Sequence, residues 1–168
     1  MWGEQLKTDN SATEGEGQKK IDQSLNKDVR CGNGSLMRTA PIGLVFFGEN
    51  EGIVDIYTSK AGSVTHPHSL CVEACQVYVR MICTMMNANG EQPSRSRLFD
   101  VLKSFDSKTL KSKSKILSLS SLNELGSLPD SEISSSGFVV HTLEAALWAF
   151  FSTNSFRDGA IKVVNLGE

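Results

Sequence analysis

The run Cys31-Gly32-Asn33-Gly34-Ser35-Leu36-Met37-Arg38 is the most chemically suggestive stretch of the chain. Glycines on either side of Asn33 let a turn present consecutive backbone N–H groups, and such a nest cradles phosphate oxygens. Arg38 can add charge to that cradle or anchor the loop through hydrogen bonds. The stretch is not a nucleotide P-loop, since no Gly-Lys followed by Ser or Thr comes after Gly34. Taken alone, Gly-Asn-Gly also reads as a plain turn, so both readings stand at this point.

A second stretch, Ser63-Val64-Thr65-His66-Pro67-His68-Ser69, sets two imidazoles at the mouth of a long apolar segment. Helix N-termini attract anions, and imidazole there can donate to a phosphate or a ribose hydroxyl. The plainer role is to cap the helix or hold the turn. His141, near the start of another apolar segment, reads as structural. Cys71 and Cys75 lie one helical turn apart downstream of His66 and His68, so zinc is formally possible. No further Cys or His pair at finger-like spacing completes a tetrahedron, and a buried thiol as a small hydrophobe is the stronger reading. Cys31, Cys71, Cys75 and Cys83 show no disulfide framework and are read as reduced. There is no Gly-x-Ser-x-Gly elbow, no spaced set of metal-binding carboxylates and no paired acidic motif. The residues by themselves do not establish catalysis.

The elements that must position these groups read as helices. TAPIGLVFF, residues 39–47, predicts a short buried helix opening near Pro41, where a missing N–H costs nothing. Ile53, Ile56 and Tyr57 keep helical spacing over 52–60, with Ser63 and Thr65 as caps for the next helix. Leu70, Ala74, Val77, Met81 and Met85 mark one face of a helix over 69–87 that is apolar almost all round, so it should run through the core. Met81, Met85 and Met86 read as adaptable core filling, and Asn89-Gly90 as the stop signal. Leu98, Val101, Leu102 and Phe105 predict a short amphipathic helix. Beyond it comes a Ser/Lys-rich connection near 107–136, its lysines a solvated face, with a phosphate-contacting patch as the lesser alternative. HTLEAALWAFFST predicts a second buried helix, and Ser155 with Asp158 a capped final one with Phe156, Ala160, Ile161 and Val164 inward. No alternating strand pattern is present, so the fold class is all-α.

The chain has 168 residues, 39% of them hydrophobic, enough for one domain with its own core. Residues 1–29 form a polar N-terminal segment with too few large apolar groups to offset chain entropy and should be loose, leaving the domain to 30–168. Lys+Arg 17 against Asp+Glu 19 gives no basic excess, which argues against nucleic acid as a partner. Uninterrupted apolar runs such as Ala145 to Phe151 fall far short of the roughly 20 residues a bilayer needs, so no membrane partner is expected. The polar start lacks a basic region and an apolar core of signal type, so a cytoplasmic or nuclear location is expected. Oligomeric state is not readable.

GNGSLMRTAPIGLVF, then THPHS opening an apolar helix, then GFVVHTLEAALWAFF and FRDGAIKVVNLGE, in this order and spacing, resemble ADP-ribosylglycohydrolases. The resemblance covers residues 30–168 outside the serine-rich connection. It implies an orthogonal helical bundle, incomplete here, that binds ADP-ribose across a groove and hydrolyses its glycosidic link to a protein side chain or related acceptor, assisted by magnesium. ADP-ribose or ADP-ribosylated protein is the implied partner. By position, Gly32, Asn33 and Gly34 match the loop that contacts the diphosphate, and His66 matches the histidine beside bound ADP-ribose. Met37 and Arg38 are implied to support that loop. The family takes its metal ligands from an early Thr-Asp-Asp-type and a late Asp-x-Asp-Thr-type cluster, and this chain contains neither. Asn165-Leu166-Gly167-Glu168 resembles the lead-in to the late one. The expectation is therefore a fragment, shortened isoform or mispredicted gene product that is inactive alone, the alternatives being a non-catalytic ADP-ribose-binding module or a structural or regulatory remnant.

Overall fold

The computed structural model describes residues 16, 17, 19, 20, 23–88 and 95–167. Most of the polar segment 1–29 and the Asn89-Gly90 stop signal lie outside them. The described elements are α1 (Ala40–Phe46), α2 (Glu51–Ser63), α3 (Ser69–Met86), α4 (Arg95–Ser104), α5 (Thr109–Lys113), α6 (Lys115–Ser118), α7 (Leu122–Ser127), α8 (Val139–Ser152) and α9 (Phe156–Val164), with 3-10 turns at Asp28–Arg30, Leu36–Arg38 and Asp130–Glu132. Among the described residues there is no strand, only an isolated antiparallel bridge between Gly32 and Phe138. The all-α class holds.

Two apolar helices organise the rest. In α3, Leu70, Cys71, Ala74, Cys75, Val77, Val79, Met81 and Ile82 are buried, because α1, α2, α4, α5 and α8 all pack on it. By length and composition α3 could cross a membrane, but half of it is buried inside the protein, which makes it the core helix its sequence predicts. Helix α8 is the second pillar, with Val139, Val140, Leu143, Leu147, Trp148 and Phe151 buried against α7, α6, α9 and α3. Fully burying one such side chain contributes about 1.5–3 kcal/mol, so these helices dominate the core. The Trp148 indole N–H finds a partner in Leu128 O at 3.1 Å, and Arg95 of α4 donates to the carbonyls of Phe151 and Thr153 at the C-terminal end of α8.

Several local expectations are corrected. Helix α1 has its proline in the first turn, but only Gly43 is buried, and Leu44 and Val45 face solvent. It crosses α3 at that glycine, where an added Cβ would lie 2.7 Å from Ile82 Cγ2, so close approach rather than bulk decides the contact. In α2 the inward row is Val54, Thr58 and Gly62, not Ile56 and Tyr57, which are exposed. Arg80 of α3 sets that orientation by gripping Asp55 through Nε (3.0 Å) and Nη2 (2.6 Å), and Glu51 through Nη1 (2.6 Å). Of the methionine cluster only Met81 is core; Met85 and Met86 are exposed. In α9, Ser155 caps as expected, accepting from Asp158 N at 3.1 Å and donating to its carboxylate at 2.7 Å. Yet Phe156, Ile161 and Val164 are exposed, and the helix meets the core through Val163 and through Lys162, whose ammonium sits 3.7 Å from the Trp148 ring centroid.

The Ser/Lys-rich connection is itself helical. Leu110, Ile116, Leu117 and Leu125 from α5, α6 and α7 are fully buried core residues, while Lys108, Lys111, Lys113 and Lys115 stay exposed as expected. Two acidic side chains fasten it. Buried Glu144 accepts from Ser114 Oγ (2.8 Å) and Ile116 N (3.2 Å), and Glu73 accepts from Ser107 Oγ (2.5 Å) and Leu110 N (2.7 Å).

Candidate functional site

The glycine turn sits where the chain entering α1 crosses the chain entering α8. Val139 N donates to Cys31 O (2.9 Å) and Asn33 N to Gly137 O (3.0 Å), the two bonds that form the Gly32–Phe138 bridge. Asn33 Nδ2 reaches Thr142 Oγ1 in the first turn of α8 at 2.9 Å. The turn is thus stitched to a segment more than a hundred residues away in sequence. Gly32 N is also occupied, donating to Arg30 O at 2.9 Å. Two of the N–H groups that the sequence offers to a phosphate therefore serve the protein's own backbone.

His66 completes the cluster. Its ring packs on the turn, so that a Cβ at Gly34 would lie 3.0 Å from Cε1 and 3.4 Å from Nε2, and one at Gly32 would lie 3.7 Å from Nε2. The four residues singled out in the sequence, Gly32, Asn33, Gly34 and His66, form one surface feature. Neither Gly32 nor Gly34 has positive φ, so their small size, not backbone freedom, admits the ring. On its other edge His66 Nδ1 is 2.8 Å from Thr65 Oγ1, and Arg38 Nη2 donates to Thr65 Oγ1 (2.7 Å), Ala61 O (3.0 Å) and Gly62 O (3.4 Å). Arg38 therefore ties the end of α2 to the loop instead of standing over the turn. Met37 is exposed. Burial, and then the Arg38 charge, push the His66 pKa below the ordinary histidine value, which keeps the ring neutral near pH 7.

The neighbouring histidines have other duties. His68, not Ser63 or Thr65, caps α3, its Nδ1 accepting from Leu70 N at 3.2 Å while Nε2 pairs with Asp28 Oδ1 at 3.0 Å. His141 is bonded to Ser136 Oγ at 2.7 Å and stands edge-on to Phe138. Beneath the turn, Cys71 Sγ faces Gly32 O at 3.9 Å. Burial raises the thiol pKa values of Cys31, Cys71 and Cys75, so they are poor sources of thiolate, and all four cysteines are free.

Sequence reasoning missed Thr142, Gly137 and the part Thr65 plays. Nothing in residue spacing signals a contact across 109 positions such as Asn33 to Thr142. A divalent metal finds no fit here. Among the described residues no group of three or more His, Cys, Asp or Glu could hold one. Asp55 and Glu51 are committed to Arg80, Asp28 to His68, and Glu73 and Glu144 to backbone and hydroxyl donors. An open groove between α1 and α2, lined by Phe46, Ile53, Tyr57 and Lys60, shares no residue with the glycine turn.

Comparison with known proteins gives a consistent picture. The chain matches the ADP-ribosylglycohydrolase family over residues 3–168. It is 28% identical over 139 residues to an ADP-ribosylarginine hydrolase of Pseudomonas putida, an alignment covering 82% of this chain and 34% of that protein. It is 51% identical over 37 residues to an ADP-ribosylarginine hydrolase of Serratia proteamaculans, covering 22% of this chain and 10% of that protein. The chain thus spans about a third of the length of the first of these relatives. No solved structure gives a significant match.

Proposed function

Because this chain belongs to the ADP-ribosylglycohydrolase family, we propose that it supplies an ADP-ribose-binding face of an ADP-ribosyl-protein hydrolase, with ADP-ribosylated arginine as the substrate class. The observation that carries the reading is the packing of His66 on Gly32 and Gly34, which gathers dispersed residues into one half-buried cluster with Gly34 at its exposed edge. Its features suit ADP-ribose. The exposed Gly34 carries no side chain to obstruct an oxyanion beside the ring, and the neutral imidazole that fills the space over both glycines can donate to a phosphate or ribose oxygen. The arginine acceptor comes from the names of the two relatives.

The family implies use of a divalent metal, and magnesium is the ion proposed. Such an ion would supply Lewis-acid polarisation of the bond to be broken and a site to orient water. The described residues do not furnish its ligands, so the chain alone should bind ADP-ribose without turning over substrate. A second reading, a non-catalytic ADP-ribose-binding module, is favoured by the pairing of Asp28, Glu51, Asp55, Glu73 and Glu144 with the protein's own donors. Both predict binding at the turn. Titrating ADP-ribose into the labelled chain should move the amide resonances of Gly32, Asn33, Gly34 and His66 together. Shifts elsewhere only, or none at saturating ligand, would refute the site. Magnesium-dependent, EDTA-sensitive release of ADP-ribose from arginine-modified protein by this chain alone would refute the expected inactivity.

A further inference from the structure

The contacts of His66 specify more than its proximity to the turn. Arg38 Nη2 donates to Thr65 Oγ1 at 2.7 Å, and that oxygen lies 2.8 Å from His66 Nδ1. A guanidinium has donors only, so Thr65 must accept in the first contact, and a hydroxyl has a single proton to give. If it gives that proton to Nδ1, the guanidinium, the hydroxyl and Nδ1 are all paired, and Nε2–H is left for an acceptor outside the described residues. In the reverse arrangement Nδ1–H and Arg38 would both donate to one oxygen, leaving the hydroxyl proton without an acceptor among the described residues. A neighbouring positive charge also polarises the hydroxyl, making it a better donor and a poorer second acceptor. Nε2 has no hydrogen-bond partner among the described residues, and its edge of the ring is the one lying on Gly32 and Gly34.

We infer that Arg38 and Thr65 are positioning residues that hold His66 as the tautomer protonated at Nε2, presenting that N–H at the Gly32–Gly34 turn to an oxygen acceptor of ADP-ribose. The ligand part rests on the proposed ADP-ribose-binding function; the tautomer does not. Burial and the Arg38 charge, which lower the His66 pKa, keep the ring in the neutral state where a tautomer is defined. Thr65 is exposed, so its replacement leaves the core untouched.

The test is long-range proton–nitrogen correlation on the labelled chain at about pH 7.5, above the ordinary histidine range. Nδ1 of His66 should resonate as an unprotonated nitrogen and Nε2 as a protonated one. Thr65→Ser should preserve that pattern, and Thr65→Val should draw both nitrogens toward the averaged values of an exchanging ring. Arg38→Met should raise the His66 pKa. The opposite tautomer in the wild type, a Thr65→Val spectrum unchanged at His66, or no pKa change in Arg38→Met would overturn the inference. ADP-ribose titration separates the two failures. Thr65→Val should bind about twofold more weakly, since an exchanging ring still presents Nε2–H in about half of its population, and Thr65→Ser about as well as wild type. A fixed Nε2–H tautomer in a chain that binds no ADP-ribose would refute the binding function and leave the tautomer assignment standing, whereas ADP-ribose binding with exchanging tautomers would refute the assignment alone.

Discussion

Replacing Gly34 with valine should disturb the ring, not the backbone. Gly167 is the sole glycine with positive φ among the described residues, so an L side chain at 34 meets no conformational penalty of that kind. What it meets is His66, with Cβ 3.0 Å from Cε1 and 3.4 Å from Nε2 before any γ-carbon is added. Alanine needs the ring to give by a few tenths of an ångström, while the branched side chain of valine displaces it outright. The displaced ring loses its 2.8 Å contact with Thr65, worth about 1 kcal/mol of stability, and removes the donor at Nε2, worth about another 1 kcal/mol in binding, or roughly fivefold in Kd. At Gly32 an added Cβ would stand 3.7 Å from Nε2, an ordinary contact, so Gly32→Ala should be mild. Urea unfolding gives the stability arm and calorimetric titration with ADP-ribose the binding arm. The reasoning fails if Gly34→Val binds ADP-ribose as tightly as wild type, or if Gly32→Ala is the more damaging change.

The same geometry leads to three further outcomes. Gly43→Ala should destabilise by about 1–2 kcal/mol, because overpacking against Ile82 and Val79 O outweighs the gain in helix propensity; unchanged or raised stability would contradict the close crossing of α1 and α3. Glu144→Ala should cost about 2–3 kcal/mol by leaving the buried Ser114 hydroxyl proton and the Ile116 N–H without an acceptor, read as a lower urea midpoint; a loss near zero would mean water replaces the carboxylate. The folded pKa of His66 lies below the ordinary 6.5, so the unfolded chain binds more protons between those values and stability rises with pH there. The contribution is intact above about pH 6.5 and is lost as pH falls through the folded pKa; His66→Gln should flatten that part of the profile, and superimposable profiles would contradict it.

The sequence reveals the parts of this fold whose apolar pattern is long and unambiguous. Helices α3 and α8 show themselves because apolar residues recur on most of their faces, and α9 shows its start because Ser155 and Asp158 form a local cap. The buried faces of α1 and α2 stay hidden because small residues make the contacts: Gly43 lies under Ile82, and a Cβ at Gly62 would be 3.9 Å from Cys75 Sγ. Glycine adds nothing to an apolar count, so Leu44, Ile56 and Tyr57 draw the eye to the wrong side. In the connection, serines and lysines mask Leu110, Ile116, Leu117 and Leu125, whose burial depends on partners distant in sequence.

At the site, the glycine turn and His66 are each legible, but their contact is not, since it depends on α2 folding back between them. Of the two readings that the sequence leaves open for Gly-Asn-Gly, a phosphate nest and a plain turn, the backbone contacts narrow the first. Which N–H groups of a turn remain available depends on which carbonyls come near, and Arg30 O and Gly137 O already take those of Gly32 and Asn33. That leaves the His66 edge and the exposed Gly34 as the surface on which the proposed recognition of ADP-ribose rests.

The most direct test of the central claim is calorimetric titration of ADP-ribose into the folded chain, with His66→Ala alongside and circular dichroism confirming that both are helical. The account predicts weak but saturable binding by the wild type and roughly tenfold weaker binding by His66→Ala, as expected for loss of a hydrogen bond near the upper end of the neutral range. A folded wild-type chain that shows no binding of ADP-ribose, or a His66→Ala variant that binds it equally well, would contradict the assignment of this turn as an ADP-ribose site.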